Sequence, residues 1–211
     1  MRVFVTGATG YIGSAVVREL LDAGHQVVGL ARSDTAAATL TAAGAGVHRG
    51  ALEDLSSLRD GATMADGVIH TAFNNISETT DMAASARADL NAVTAIGAAL
   101  EGTGKPFAVT SGTAVLPAGR LGTEADAADP NSAAAPRVPT EVAVIAMGER
   151  GVRSSVVRLA PTVHGEGDKA GFVTTLIGMA RAKGVSAYVG DGSNRWPALI
   201  PDIDAGHYFN G

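Results

Sequence analysis

The chain has 211 residues, a formal net charge of −5 and 46% apolar residues, which suits one domain, or one domain with a small appendage. The acidic balance without a basic cluster argues against a nucleic-acid partner, and the absence of cysteine excludes disulfides and thiolate chemistry. No apolar run reaches the roughly 18 residues of a membrane span, and no basic segment leads into an apolar one at the start, so neither a membrane partner nor a signal peptide is expected and a cytoplasmic location is the expectation.

Residues 3–5 read as a strand that runs directly into Thr6-Gly7-Ala8-Thr9-Gly10-Tyr11-Ile12-Gly13. An apolar stripe at helical spacing follows, made of Ile12, Val16, Leu20 and Leu21, and Gly24 supplies a C-terminal stop. A glycine trio in that setting has a physical reading. Gly7 turns the chain sharply out of the strand, Gly10 lets the backbone approach a pyrophosphate, and Gly13 lets the helix pack closely on the strand. The helix N-terminus then offers N–H groups and partial positive charge to the phosphates. The competing reading is a tight turn without a ligand; the strand–loop–helix context favours a dinucleotide.

A second strand, residues 26–30, leads into Ala31-Arg32-Ser33-Asp34. An acid near this point selects NAD through the ribose diol, whereas an arginine accommodates a 2′-phosphate. Arg32 comes first and Ser33 adds a hydroxyl donor, so NADP is expected. NAD is the alternative if Asp34 reaches the ribose; otherwise Asp34 is the N-cap of a helix starting at Thr35. The Ala-rich residues 35–43 are strong helix formers with no chemistry implied.

Further strands are expected at residues 68–70 and 107–109, with a helix between them whose stripe is Leu90, Val93, Ile96, Gly97 and Leu100. Residues 113–139, with prolines at 117, 130, 136 and 139, read as a long loop beyond a strand's carboxyl end, the edge where ligands sit in open α/β sheets. Val142, Ile145 and Met147 begin a third apolar stripe, and residues 155–158 a last strand. This alternation predicts an α/β protein with a parallel sheet covered on both faces. The histidines, at 25, 48, 70, 164 and 207, lack ligand spacing, so no metal is expected.

The loop from Thr6 to Gly13 resembles the TGxxGxxG loop of extended and atypical short-chain dehydrogenases/reductases, among them the NAD-dependent epimerase/dehydratase group. The resemblance implies a Rossmann-type doubly wound parallel sheet. Residues 1–160 are then the dinucleotide-binding core and 161–211 a shortened substrate-side segment, together one compact domain. In the loop it implies cofactor contacts from Gly7, Thr9, Gly10, Tyr11, Ile12 and Gly13. Gly50-Ala51-Leu52-Glu53-Asp54 resembles the segment flanking the adenine; Ala51 departs from the family's Asp, so Leu52 alone carries over. His70-Thr71-Ala72 looks like the HxA end of the fourth strand, which brings in Thr71 and Ala72. Asn91 matches an asparagine common in the next helix. Residues 158–165 resemble the RPxxVYG turn beside the nicotinamide ribose, which brings in Pro161 and Val163, and residues 190–196 resemble the substrate-side strand and loop.

The family's catalytic set is a Ser or Thr, then a Tyr and a Lys four residues apart. Arg137 stands where the Tyr is expected and Glu141 where the Lys is expected. Tyr11, Tyr188 and Tyr208, like Lys105, Lys169 and Lys183, fall in other segments. The serine position falls on Gly112, flanked by Ser111 and Thr113. The candidate catalytic groups are therefore the hydroxyls of Ser111 and Thr113 and the guanidinium of Arg137, whose charge suits a developing oxyanion and whose pKa is too high for proton donation. The alternative for Arg137 is a salt bridge to Glu141 one turn on. His164 is either an acid or a ring packed on backbone, and Glu124 and Asp126 are solvated loop acids. Asp191, Asn194, Arg195 and Trp196 either line a substrate pocket or form a turn with an aromatic lid.

Family members continue past the region of Asp202 and Asp204 with helices that cap the substrate. The substrate side is therefore expected to be open, or completed by a second copy in a homodimer. The leading expectation is an NADP-dependent oxidoreductase with a non-standard active site, acting on a small-molecule carbonyl or alcohol. The alternatives are an inactive NADP-binding sensor and an epimerase or dehydratase that recycles bound NAD.

Overall fold

Strand β1 (Arg2–Thr6) is buried on both faces, as a near-continuous apolar run demands. Its period-2 alternation sends Phe4 into one core cluster and Val3 and Val5 into another. The computed structural model, which describes residues 1–74, 81–169 and 171–199, builds outward from this strand. The elements that follow are α1 (Tyr11–Asp22), β2 (Gln26–Ala31), α2 (Asp34–Ala42), β3 (Gly46–Arg49), α3 (Leu55–Met64), β4 (Gly67–His70), α4 (Met82–Leu100) and β5 (Pro106–Gly112). Then come α5 (Val138–Ala146), β6 (Arg153–Leu159), β7 (Thr162–Val163), α6 (Phe172–Lys183) and β8 (Ala198–Leu199).

Six strands form one parallel sheet in the order β3-β2-β1-β4-β5-β6. The order reverses at β1, whose neighbours are β2 and β4, and this reversal opens a crevice at the carboxyl edge. On one face, α3, α4 and α5 cover Phe4, Val68, Phe107 and Val109 with Leu58, Ile96, Leu100, Val144 and Met147. On the other, α1 and α2 bury Val17 and Leu40 against Val3, Val5 and Val27. The fold is therefore the parallel α/β sheet covered on both faces that the alternation implied, doubly wound as the family resemblance implied. β7 and β8 pair in a separate two-stranded sheet.

Several local readings are corrected. The N-cap of α2 is Ser33, whose Oγ accepts from the Ala36 N–H at 3.2 Å, and Asp34 is the first helical residue. The long loop ends at Arg137 rather than Pro139, because Pro139 sits in the first turn of α5, where a missing N–H costs nothing. Val142 and Ile145 of the expected stripe point outward, at 59% and 64% exposure, while Thr140, Glu141, Val144 and Met147 face inward. Two polar side chains have taken core positions because buried partners satisfy them. The helix α6, which no sequence pattern had marked, buries none of its residues and ends at Gly184 with φ of +66°. Asp202, Asp204, His207 and Tyr208 lie outside the described residues. Among the described residues no helix is long and apolar enough to cross a membrane, and no group of His, Asp or Glu is placed to hold a metal ion.

Candidate functional site

A cleft of about 1130 Å³ runs along the carboxyl edge of the sheet from the glycine loop to α6. Its floor at one end is the loop itself, with Gly7, Thr9, Gly10, Tyr11, Ile12 and Gly13 all in the lining. Gly7 adopts φ of +68°, the left-handed region that favours glycine. The N–H of Gly10 closes the turn onto the Gly7 carbonyl at 2.9 Å. A Cβ on Gly13 would stand 2.1 Å from the Gly7 oxygen, so only glycine lets α1 begin this close to the loop. No side chain caps the N-terminus of α1, where Gly10 is the N-cap. A helix start left open toward a cleft, above two glycines that a side chain would block, fits the diphosphate of a dinucleotide.

The opposite wall comes from the ends of β4, β5 and β6. Thr71 and Phe73 follow β4, Thr110, Ser111 and Gly112 close β5, and Pro161 and Val163 follow β6; all line the cleft. Arg137 reaches in from the turn before α5. Its Nη2 donates to the Thr110 carbonyl at 2.9 Å, and its guanidinium carbon sits 4.2 Å from the centre of the Phe73 ring. The Oγ of Ser111 and the Nε of Arg137 are buried with no hydrogen-bond partner among the described residues. Unmet donors beside a cleft are what an incoming carbonyl oxygen satisfies.

Burial draws the Arg137 guanidinium below its ordinary pKa, and the nearby carboxylates of Asp89 and Glu141 pull it back up. Asp89 is the closer influence: its Oδ2 lies 3.6 Å from Arg137 Nη2. Glu141 is not the salt-bridge partner of Arg137. It is 1% exposed and pairs with Arg158, whose Nη2 approaches its Oε2 at 2.8 Å. Arg158 also donates through Nη1 to the Asp126 carbonyl at 2.9 Å, so this ion pair ties the long loop to β6. Asp126 itself is engaged by Arg120 and by the Thr123 N–H, which hold its carboxyl well below the usual range.

The other expected site residues take different places. Arg32 and Ser33 stand past the end of β2, outside the lining, and Arg32 is exposed with no ion-pair partner among the described residues. Asp34 is paired with Arg49. Leu52 packs against the cluster around Phe4 rather than on the cleft. Ala72 backs onto Gly7, its nitrogen 2.6 Å from where a Gly7 Cβ would be. Thr113 begins the turn after β5, with its Oγ1 buried and unpartnered, and it is not in the lining. The ring of His164 turns to Asp168 at 2.8 Å instead of the cleft. Of residues 190–196, Trp196 lines the cleft and stacks on Phe172 at 5.6 Å, while Asp191, Asn194 and Arg195 are exposed.

Sequence reasoning missed Phe73, Phe172 and the buried acid Asp89. Asp89 had a faint signal: it is the one charged residue on the inward side of a helix whose other buried residues are Ser85, Gly97 and a set of Ala, Val, Ile and Leu.

The chain matches the profile of the NAD dependent epimerase/dehydratase family over residues 3–200. It is 49% identical over 210 residues to an uncharacterised protein of Schizosaccharomyces pombe, covering 99% of this chain and 69% of that one. It is 28% identical over 187 residues to the 4-hydroxy-2-methyl-3-oxo-4-farnesyl-3,4-dihydroquinoline-1-oxide ketoreductase of Stigmatella aurantiaca, covering 87% of this chain and 56% of the other. In fold it is similar to the UDP-glucose 4-epimerase of Thermotoga maritima solved with UDP-glucose, at a TM-score of 0.75 and 20% identity over 96% of this chain and 70% of that one. It is also similar to Bordetella bronchiseptica WbmG in complex with NAD, at 0.73 and 19% over 96% and 65%.

Proposed function

We propose that this chain, which belongs to the NAD dependent epimerase/dehydratase family, binds NADP(H) and catalyses hydride transfer between the nicotinamide and a small carbonyl or alcohol. One observation carries the reading: the partly buried guanidinium of Arg137 and the Ser111 hydroxyl, unpartnered among the described residues, line the same cleft as an uncapped glycine-loop helix.

The amides at the start of α1 hold the diphosphate. Arg32, past the end of β2 and without an ion-pair partner among the described residues, holds the 2′-phosphate, and Ser33 adds its hydroxyl proton. Asp34, the acid that would otherwise favour the ribose diol of NAD, is committed to Arg49, which supports NADP. Thr71, Pro161 and Val163 border the nicotinamide end, and Ala72 backs the glycine loop. When bound, the reduced dinucleotide supplies a hydride to the carbonyl carbon, and the oxygen takes its proton from water. Arg137 and Ser111 polarise that oxygen and stabilise the charge it gains. Neither is asked to perform the proton transfer of the family's Tyr-Lys pair, whose places hold Arg137 and Glu141. The ketoreductase similarity supports carbonyl chemistry.

Loss of NADPH absorbance is to be followed against a panel of aldehydes and ketones. Turnover of at least one compound is expected, with Arg137→Ala lowering kcat by roughly 10²–10³ and leaving NADPH affinity unchanged. A flat trace for every compound with NADPH demonstrably bound would overturn the proposal.

A further inference from the structure

Arg137, one of the cations of the cleft lining, has a carboxylate of the protein behind it. Asp89, on α4, is fully buried behind Arg137. Every side of its carboxylate is engaged. Oδ2 accepts from Thr140 Oγ1 at 3.0 Å and faces Arg137 Nη2 at 3.6 Å. Oδ1 meets His70 Nε2 at 3.1 Å, and His70 Nδ1 meets Thr6 Oγ1 at 2.8 Å. The imidazole thus bridges the carboxylate and the threonine hydroxyl. The guanidinium that faces the Asp89 carboxylate is that of Arg137. Thr6, His70, Asp89 and Thr140 are all buried, so this support is anchored in β1, β4, α4 and α5 at once.

We propose that Asp89 is a specificity-determining residue that neutralises Arg137 from behind, so that the cleft selects uncharged aldehydes and ketones over carbonyl compounds bearing a carboxylate. The inference rests on the oxidoreductase reading. A carboxylate entering the cleft sheds its hydration and meets a guanidinium already paired with an acid. The remaining charged residues of the lining are Arg18, Glu166, Asp168 and Lys169, two of each sign, which give no positive surplus. A neutral carbonyl gives up little hydration, and it becomes anionic only as the hydride arrives, when the nearer guanidinium outweighs the farther carboxylate. The walls around Arg137 are apolar: Phe73 lies against it, and Leu159, Pro161 and Val163 line the same cleft.

The test is calorimetric titration of the full chain loaded with NADP⁺, using benzyl alcohol and benzoate as uncharged and charged probes of similar shape. Wild type is expected to prefer benzyl alcohol by at least about tenfold, and Asp89→Asn, which strips the neutralising charge while keeping the shape, to shift the ratio toward benzoate by about tenfold or more. Arg137→Gln moves the charge the other way and is expected to widen the preference for benzyl alcohol. It serves as the deciding variant if circular dichroism shows Asp89→Asn unfolded. A wild-type preference for benzoate, or a ratio unmoved in the folded variants, overturns the inference and leaves the oxidoreductase reading standing. Failure of both probes to bind the loaded wild type refutes the carbonyl site itself, and the inference with it.

Discussion

Gly13 and Arg137 show how single residues set the site. A Cβ on Gly13 meets the Gly7 carbonyl at 2.1 Å, and that atom is backbone, so relief requires moving the loop or the helix. Gly13→Ala is expected to lose about 1–3 kcal/mol in denaturant unfolding and to weaken NADPH binding, whereas Gly24→Ala, with open space around its Cβ but φ of +77°, costs stability and leaves binding alone. Equal NADPH affinity for Gly13→Ala and wild type would count against the role of this loop. The glycine was legible in the sequence because the atoms nearest its missing Cβ belong to Gly7, a near neighbour in the chain, although Thr71 also closes on it. The surroundings of Arg137 were not. Its place in the family spacing could be read, but its partners Asp89, Thr110 and Phe73 come from three other segments. Glu141, the obvious partner one turn away, is turned inward to Arg158 instead.

The elements differ in how far their patterns reveal their faces. α1 and the apolar part of β1 obey simple periodicities: Val17, with the half-buried Val16, Leu20 and Leu21, packs in one cluster with Val3 and Val5. α5 does not: Thr140 and Glu141 take inward positions because Asp89 and Arg158 receive them, and the apolar Val142 and Ile145 are left exposed. A hydrophobic stripe cannot anticipate a buried polar pair whose partners lie 51 and 17 residues away. The pair is also a stability element. Arg158→Met leaves the Glu141 carboxylate buried without its counter-charge, for which a loss of about 3 kcal/mol is expected. It also frees the Asp126 carbonyl, so the loop between β5 and α5 is expected to exchange its amide protons faster than the sheet does. Protection unchanged across residues 116–130 would show that this loop is held by other contacts.

At the scale of the whole molecule, the sheet order places β1 at the reversal, and the cleft opens where β1 and β4 end and extends past β5 and β6. The parallel sheet and its ligand edge followed from strand–helix alternation and the glycine loop, and the doubly wound order from the family resemblance. The far end of the cleft was less legible. α6, β7 and β8 are short or unburied elements whose residues carry little pattern. Phe172 and Trp196 meet there although 24 positions separate them. The most direct test of the central claim, that this edge grips a 2′-phosphorylated nicotinamide dinucleotide, is calorimetric titration of wild type and Arg32→Ala with NADPH and NADH. The expected result is one-to-one binding of NADPH that is tighter than that of NADH and weakens about tenfold to a hundredfold in Arg32→Ala, with NADH affinity unmoved. Absence of binding heat for both dinucleotides, with no thermal stabilisation of the fold by either, would contradict it.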